Sequence, residues 1–170
     1  GYLGQSAKAI ERLHRAIGVL PEGDDDLLPH MHIDLGRLLA LRTEFSESIE
    51  EFDRAQRLFR QRGSKLGRMR ILLHRGHLLG TLGNWDRSAR MLHDATDLAR
   101  QLADPRTEAR ALLFIGEHER LRGRPAIDHL DGAAILAAAA GDLTTHLWAQ
   151  VYLAELGVHR RGLGTEVEAL

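Results

Sequence analysis

The feature that most constrains this chain is a pattern that returns every 40 residues. Three copies are marked by Leu35-Gly36, Arg75-Gly76 and Ile115-Gly116. The first two copies then agree along their length, through the pairs Leu39/Leu79, Phe45/Trp85, Ser48/Ser88, Phe52/Leu92 and Ala55/Ala95. A fixed period of this length is the signature of stacked supersecondary units. The sequence therefore predicts an array of helical repeats.

The composition agrees with thin stacked helices rather than one large aromatic core. Of 170 residues, 44% are hydrophobic, but only two are Trp, two Tyr and four Phe. The formal net charge is −1, so no overall field favours nucleic acid or an anionic membrane. The chain has no cysteine, which excludes disulfides and thiolate nucleophiles. No apolar run is long enough to span a bilayer, and the expected location is cytoplasmic.

The apolar spacing predicts eight helices that form four hairpins. They are expected at about 4–20, 27–42, 46–62, 66–82, 85–103, 106–122, 125–140 and 143–160. A single repeat array is predicted over 1–162, as a half repeat 1–23, repeats of about 24–63, 64–104 and 105–141, and a half repeat 142–162. Residues 163–170 are expected to be a tail or the start of a further helix. Because the array starts with half a repeat and without Met, we interpret the chain as a piece of a larger protein.

The breaks between helices carry turn and capping residues. Asp24, Asp25 and Asp26 are expected to cap the second helix, and Pro29 is tolerated in a first helical turn. The hinges between successive hairpins are predicted at Arg62-Gly63-Ser64, Asp104-Pro105 and Gly141-Asp142.

The repeats resemble the tetratricopeptide repeat family, in the longer-period form common in bacterial signalling proteins. The matching residues are Leu35, Gly36, Phe45 and Ala55 in one copy and Gly76, Gly83, Trp85 and Ala95 in the next. The resemblance covers nearly the whole chain. It implies an all-α fold, a right-handed superhelix of antiparallel helix pairs, in which small residues let paired helices approach closely.

The third copy departs from the pattern. Matching Leu92 to Leu130 and Ala95 to Ala133 requires the loss of two residues after Gly116. Glu119 replaces the large apolar residue found at Leu39 and Leu79. Looser or polar packing is therefore expected near the third turn.

The resemblance implies that a partner binds on the concave face, which the first helices of successive repeats line. The predicted partner-binding residues are Arg37, Arg70, His74, His77, Arg110, Phe114, Glu117, Trp148, Tyr152 and Glu155. This surface would be basic and histidine-rich toward the N-terminal half, and aromatic and acidic toward the C-terminal half. It would suit an extended segment with an acidic stretch followed by apolar or basic residues. The alternative is that these are ordinary charged helix surfaces.

Other kinds of site find little support in the sequence. His74 and His77 could converge with Glu117 and His118 on a metal, but the set lacks the tight spacing of structural zinc sites, and we expect neither metal nor cofactor. No phosphate loop or nucleophile elbow is present, so we expect no catalysis in this segment. Nucleic-acid binding is disfavoured because 24 acidic residues are mixed among 23 basic ones.

The sequence thus favours a non-catalytic protein–protein interaction or scaffold module of a larger bacterial-type signalling or regulatory protein. It would bind a peptide or protein segment in its concave groove. The alternative is a sensory domain that binds a small molecule or signal peptide and regulates attached domains. A pocket closed by Phe114, Trp148 and Tyr152 would favour the small ligand, whereas an open groove would favour a peptide. Self-association through an uncapped end is a further possibility.

Overall fold

The computed structural model describes residues 2–20 and 27–157, and side chains from residue 5 onward. Within these residues the chain has eight helices and no strand. They are α1 (Tyr2–Val19), α2 (Leu28–Leu41), α3 (Phe45–Gln61), α4 (Lys65–Thr81), α5 (Trp85–Gln101), α6 (Pro105–Leu121), α7 (Ile127–Ala139) and α8 (Leu143–Glu155). All eight predicted helices are confirmed, and the last one ends earlier than expected. The predicted cap at 24–26 and the tail 163–170 lie outside the described residues.

The helices divide between two compact units, Gly1–Leu102 and Ala103–Leu170, here called unit 1 and unit 2. In unit 1, each helix from α1 to α5 packs against the next, and α2 also contacts α4. In unit 2, α6 packs against α7, α7 against α8, and α6 against α8. The packing of consecutive helices as neighbours confirms an all-α, repeat-like architecture.

Left-handed backbone conformations end the helices at the repeat interval. Within a hairpin, the positive φ angles fall at Thr43 (64°), Gly83 (79°) and Gly123 (64°). At the junctions that follow α3, α5 and α7, they fall at Gly63 (61°), Ala103 (51°) and Gly141 (66°). A residue in this conformation turns the chain out of the helix and satisfies its last carbonyls. The predicted hinges are thereby confirmed.

The repeated glycines lie where the two helices of a hairpin are in close contact. A Cβ atom placed on Gly36 would lie 2.8 Å from Cε1 of Phe52, and one on Gly76 would lie 2.9 Å from Cδ2 of Leu92. Beside Gly36, the hydroxyl of buried Ser48 donates a hydrogen bond of 2.8 Å to the Gly36 carbonyl. Phe52 and Leu92 are fully buried by this contact. Burial of such side chains stabilises the fold by about 1.5–3 kcal/mol each.

The third hairpin keeps this contact despite its shorter sequence. A Cβ atom on Gly116 would lie 2.6 Å from Cδ2 of Leu130. Leu130 and Ala133 are both fully buried. This agrees with the sequence alignment, in which they match Leu92 and Ala95 once two residues are lost after Gly116. Glu119 forms a polar contact between α6 and α7, since its Oε2 lies 2.7 Å from Nδ1 of His129. The polar packing expected near the third turn is therefore confirmed.

Each unit has its own buried cluster. In unit 1 it comprises Ile33, Phe52, Ala55, Phe59, Ile71 and Leu78. In unit 2 it comprises Leu113, Ala126, Leu130, Ala133, Ala134, Ala149 and Leu153. Alanines dominate the second cluster, because small side chains allow α6, α7 and α8 to pack closely.

Side-chain caps begin three of the helices at equivalent places. The amides of Gly67, Thr107 and Thr145 donate to Ser64 (3.0 Å), Asp104 (3.0 Å) and Asp142 (3.3 Å) respectively. In each case the accepting side chain belongs to the residue three positions before the amide. The bond satisfies a backbone N–H that has no partner within the helix. At Asp142, the carboxylate also accepts from the Thr145 hydroxyl at 2.8 Å and from Nε of Arg110 at 2.9 Å.

Replacement of Gly76 by Leu should destabilise unit 1. The new side chain would collide with Leu92, and overpacking of this kind costs about 1–3 kcal/mol. The matched control is Gly18→Leu, because a Cβ at Gly18 of α1 meets nothing within 4 Å. The free energy of unfolding of both variants is measured by urea denaturation that is monitored by circular dichroism. Equal losses from the two variants would contradict the close approach of α4 and α5.

Replacement of Asp142 by Ala should destabilise unit 2 in a pH-dependent way. Burial raises the pKa of the Asp142 carboxyl, but hydrogen bonds from Thr145 and Arg110 outweigh this effect and leave the pKa below its usual value. A lowered folded-state pKa stabilises the fold at neutral pH, and this contribution is lost as the pH falls below about 5 and through the folded-state pKa. We expect a loss of about 1–2 kcal/mol at neutral pH.

The control for this prediction is Asp128→Ala, which removes an exposed carboxylate from the first turn of α7. Its effect should stay within about 0.5 kcal/mol. Chemical unfolding at a series of pH values measures both variants. If the difference between wild type and Asp142→Ala did not shrink in acid, the ion-paired cap would be refuted.

Candidate functional site

The predicted partner-binding residues of unit 1 lie on α2 and α4, two helices in mutual contact. Arg37 is exposed on α2, and its Nη1 donates to Oδ1 of Asp34 at 3.2 Å. Arg70 on α4 reaches the neighbouring helix, where its Nη1 lies 2.9 Å from Nδ1 of His30. These two residues are 40 positions apart and so occupy equivalent places in successive repeats. The repeat thus brings equivalent polar side chains into direct contact.

The histidines of this surface are partly packed into unit 1. The His74 ring stacks on Phe52, with centroids 6.3 Å apart and planes inclined by 10°. The His30 ring meets Phe59 edge-on at 5.0 Å. His77 is also half-buried on α4. The His30 and His74 rings therefore support the core, while Arg37 is the most solvent-accessible of the predicted residues in this unit.

The predicted residues of unit 2 lie on α6 and α8, which also contact each other. Arg110 on α6 binds Asp142 at the start of α8, so its guanidinium fixes the two helices together. Phe114 is half-buried on α6. The remaining predicted residues lie on the same two helices. They are Glu117, Trp148, Tyr152 and Glu155.

Five side chains form what we call the aromatic cluster: Glu117, Arg120, Trp148, Tyr152 and Glu155. The Trp148 and Tyr152 rings lie 5.8 Å apart. The Tyr152 hydroxyl donates to Oε1 of Glu117 at 2.9 Å. The Arg120 guanidinium lies over the Tyr152 ring, 4.7 Å from its centroid, and its Nη1 lies 2.9 Å from Oε2 of Glu155. Glu117 and Arg120 thus hold the Tyr152 ring in place, and Glu155 pairs with Arg120.

The protonation of Tyr152 follows from these contacts. Burial raises the pKa of the phenol, and the Glu117 carboxylate raises this pKa further, because a second negative charge beside it would be repelled. Tyr152 therefore stays protonated at neutral pH and remains a hydrogen-bond donor. A neutral phenol of this kind positions groups and does not act as a base.

Arg120 is absent from the residues predicted from the sequence, although it joins Tyr152 to Glu155. It lies three positions after Glu117, and residues three apart lie on the same side of a helix. That spacing could have indicated it. What the sequence lacked was the crossing of α6 and α8, which brings Arg120 over an aromatic ring located 32 positions later.

Exposed apolar side chains continue from the cluster along α8. Trp148 retains 51% of its surface exposed, Leu147 54% and Val151 46%. These residues recur at the spacing of one helical turn and lie away from the buried side formed by Ala149 and Leu153. A contiguous apolar surface with charged groups beside it is typical of a site for another molecule.

None of the helices in the described parts of the chain is both long enough and apolar enough to cross a membrane. No family model matches the chain, and no curated protein matches its sequence. Membership of the tetratricopeptide repeat family therefore stays a prediction from the repeat pattern.

Proposed function

We propose that this chain is a non-catalytic protein-interaction module that binds a peptide or protein segment. The observation that carries the proposal is the half-exposed Trp148 ring beside Tyr152 in the aromatic cluster. In keeping with its resemblance, we propose a tetratricopeptide-like array with a right-handed superhelix. We further propose that it serves as a scaffold within a larger cytoplasmic signalling or regulatory protein of bacterial type.

The residue types of the cluster support a binding role. Trp, Tyr and Arg are the side chains that most often dominate the energy of protein interfaces, particularly where charged groups surround them. Trp148 offers a large apolar face, and Leu147 and Val151 extend it along α8. An apolar side chain of a partner could therefore bury against Trp148 while polar groups at the edge remain solvated.

The rigidity of the cluster also supports this role. Tyr152 is held by Glu117 from one side and by Arg120 from another, so its ring needs no ordering when a partner binds. Preorganised groups improve affinity because less conformational entropy is lost on association. The support comes from two helices, α6 and α8, whose mutual packing fixes the spacing of these side chains.

Unit 1 offers a second candidate contact surface of different chemistry. Arg37 is exposed on α2, and Arg70, His74 and His77 are half-buried on α4, which contacts α2. Cationic and imidazole groups suit an acidic stretch in the partner. The partner that we propose for this surface of unit 1 is accordingly an acidic segment.

The exposure of Trp148 favours a peptide over a small enclosed ligand at this surface. A small molecule generally loses most of its surface to a concave pocket. With about half of the ring in solvent, Trp148 provides an open face on which a chain can lie. The aromatic cluster therefore supports the interaction role better than the sensory alternative.

The test is a selection of peptides from a random library displayed on phage, with the purified chain as bait. We expect the selected peptides to share an apolar or aromatic residue. Their dissociation constants are then measured by fluorescence anisotropy. Trp148→Ala should weaken binding at least about tenfold, because truncation of a central aromatic residue commonly has this effect. Tyr152→Phe should cause a smaller loss, since it keeps the ring and removes only the bond to Glu117.

The matched control is Ile135→Ala, which truncates an exposed apolar side chain on α7 of the same unit. The affinity of this variant for the selected peptides should equal that of the wild type. Circular dichroism checks that each variant remains folded. Failure to enrich any peptide, or equal affinities for wild type and Trp148→Ala, would refute the proposed site.

A further inference from the structure

A pocket of about 590 Å³ lies in unit 1, and none of the predicted partner-binding residues lines it. It is formed by the last turns of α3, the hinge at Gly63 and Ser64, the first half of α4, and one residue of α5. Its apolar wall contains Phe59 and Ile71, which also belong to the buried cluster of the unit, and Met91. Because two of these side chains are fixed in the core, the wall is preformed.

The rim of the pocket is cationic. Arg60, Lys65 and Arg68 line it, and all three are exposed. None of the lining residues carries a carboxylate. Within the part of the chain that the structure describes, the side chains of these three residues form no ion pair. Three positive charges therefore lie at an apolar cavity whose lining contains no acidic residue.

The start of α4 adds to the positive potential of the rim. The first turns of α3, α5 and α6 contain Glu47, Asp86 and Glu108 respectively, whereas the first turn of α4, like those of α2 and α8, contains no acidic residue. Acidic residues in a first turn offset the positive end of the helix dipole. At α4 that offset is missing, and Lys65 adds a further positive charge.

We propose that this pocket binds a small organic anion with an apolar body. Arg60, Lys65 and Arg68 contact the anionic head, while the body packs on Phe59, Ile71 and Met91. The volume falls within the range of about 300–1,000 Å³ that is usual for small-molecule sites. Arginine and lysine bind both carboxylate and phosphate groups, so the shared chemistry is an anionic head on an alkyl or ring body.

This site is separate from the aromatic cluster, since it belongs to unit 1 and to other helices. It adds a small-molecule function to the proposed interaction role. If this pocket bound no anion, the outcome of the peptide selection that tests Trp148 would not change. If that peptide selection failed, the outcome of the anion titration would not change.

The test uses the methyl group of Met91 as a reporter. The chain is produced with isotope-labelled methionine methyl groups, and NMR spectra are recorded during titration with decanoate, decyl phosphate or decyltrimethylammonium, each below its micelle concentration. We expect saturable shifts of the Met91 signal with the two anions and none with the cation. Met31, on α2 and outside the pocket lining, serves as the internal reference. Comparison of the two anions identifies the preferred head group.

Two variants with the same change of charge test the cationic rim. Arg68→Glu should weaken the binding of the preferred anion about tenfold, because it removes a charge-assisted hydrogen bond and introduces repulsion. Arg57→Glu changes an exposed residue of α3 that does not line the pocket, so its effect should stay within roughly twofold. Both of the replaced residues are exposed on the surface, and circular dichroism verifies that the variants remain folded.

Three outcomes would overturn the proposal. The first is the absence of any saturable Met91 shift with either anion. The second is an equal response to the cationic amphiphile, which would indicate adsorption of the alkyl chain alone. The third is an equal loss of affinity in Arg68→Glu and Arg57→Glu, which would indicate an effect of total charge rather than of this pocket.

Discussion

The close contact between a glycine and a large apolar side chain sets the spacing of the helical hairpins. Gly36 meets Phe52, Gly76 meets Leu92, and Gly116 meets Leu130, in each case at a distance that leaves no room for a side chain on the glycine. Since buried side chains pack at nearly crystalline density, a change in one such contact shifts the helices beside it. The positions of residues farther along each helix, including those of the candidate sites, depend on this spacing.

The two candidate binding surfaces differ in how their charges are balanced. In the aromatic cluster, Glu117 and Glu155 are bound by Tyr152 and Arg120, so the charged groups order the rings and leave an apolar face for a partner. In the pocket beside α4, the cationic side chains have apolar neighbours and no acidic partner in the lining. Charged groups that pair with each other leave a surface that binds a partner through burial of apolar side chains. Positive charges without an acidic neighbour favour an anionic ligand.

The sequence predicted some parts of these sites and missed others for identifiable reasons. The resemblance to tetratricopeptide repeats places Trp148, Tyr152 and Glu117 on the first helices of their repeats, and the structure brings them together on α6 and α8. Arg120 was missed because its partner ring lies on another helix. The pocket was missed as well, since Met91 and Arg68 become neighbours only when α4 and α5 pack, and no local spacing records that.

The sequence by itself determined the number and order of the helices, their turns and the alignment of the shortened third copy. These depend on local chemistry: apolar spacing, capping residues such as Ser64 and Asp104, and glycine where φ is positive. The tertiary structure alone decided which charged groups pair and which remain open to a ligand. Pairing depends on distances of a few ångströms between side chains on different helices, and these are fixed only when the helices pack.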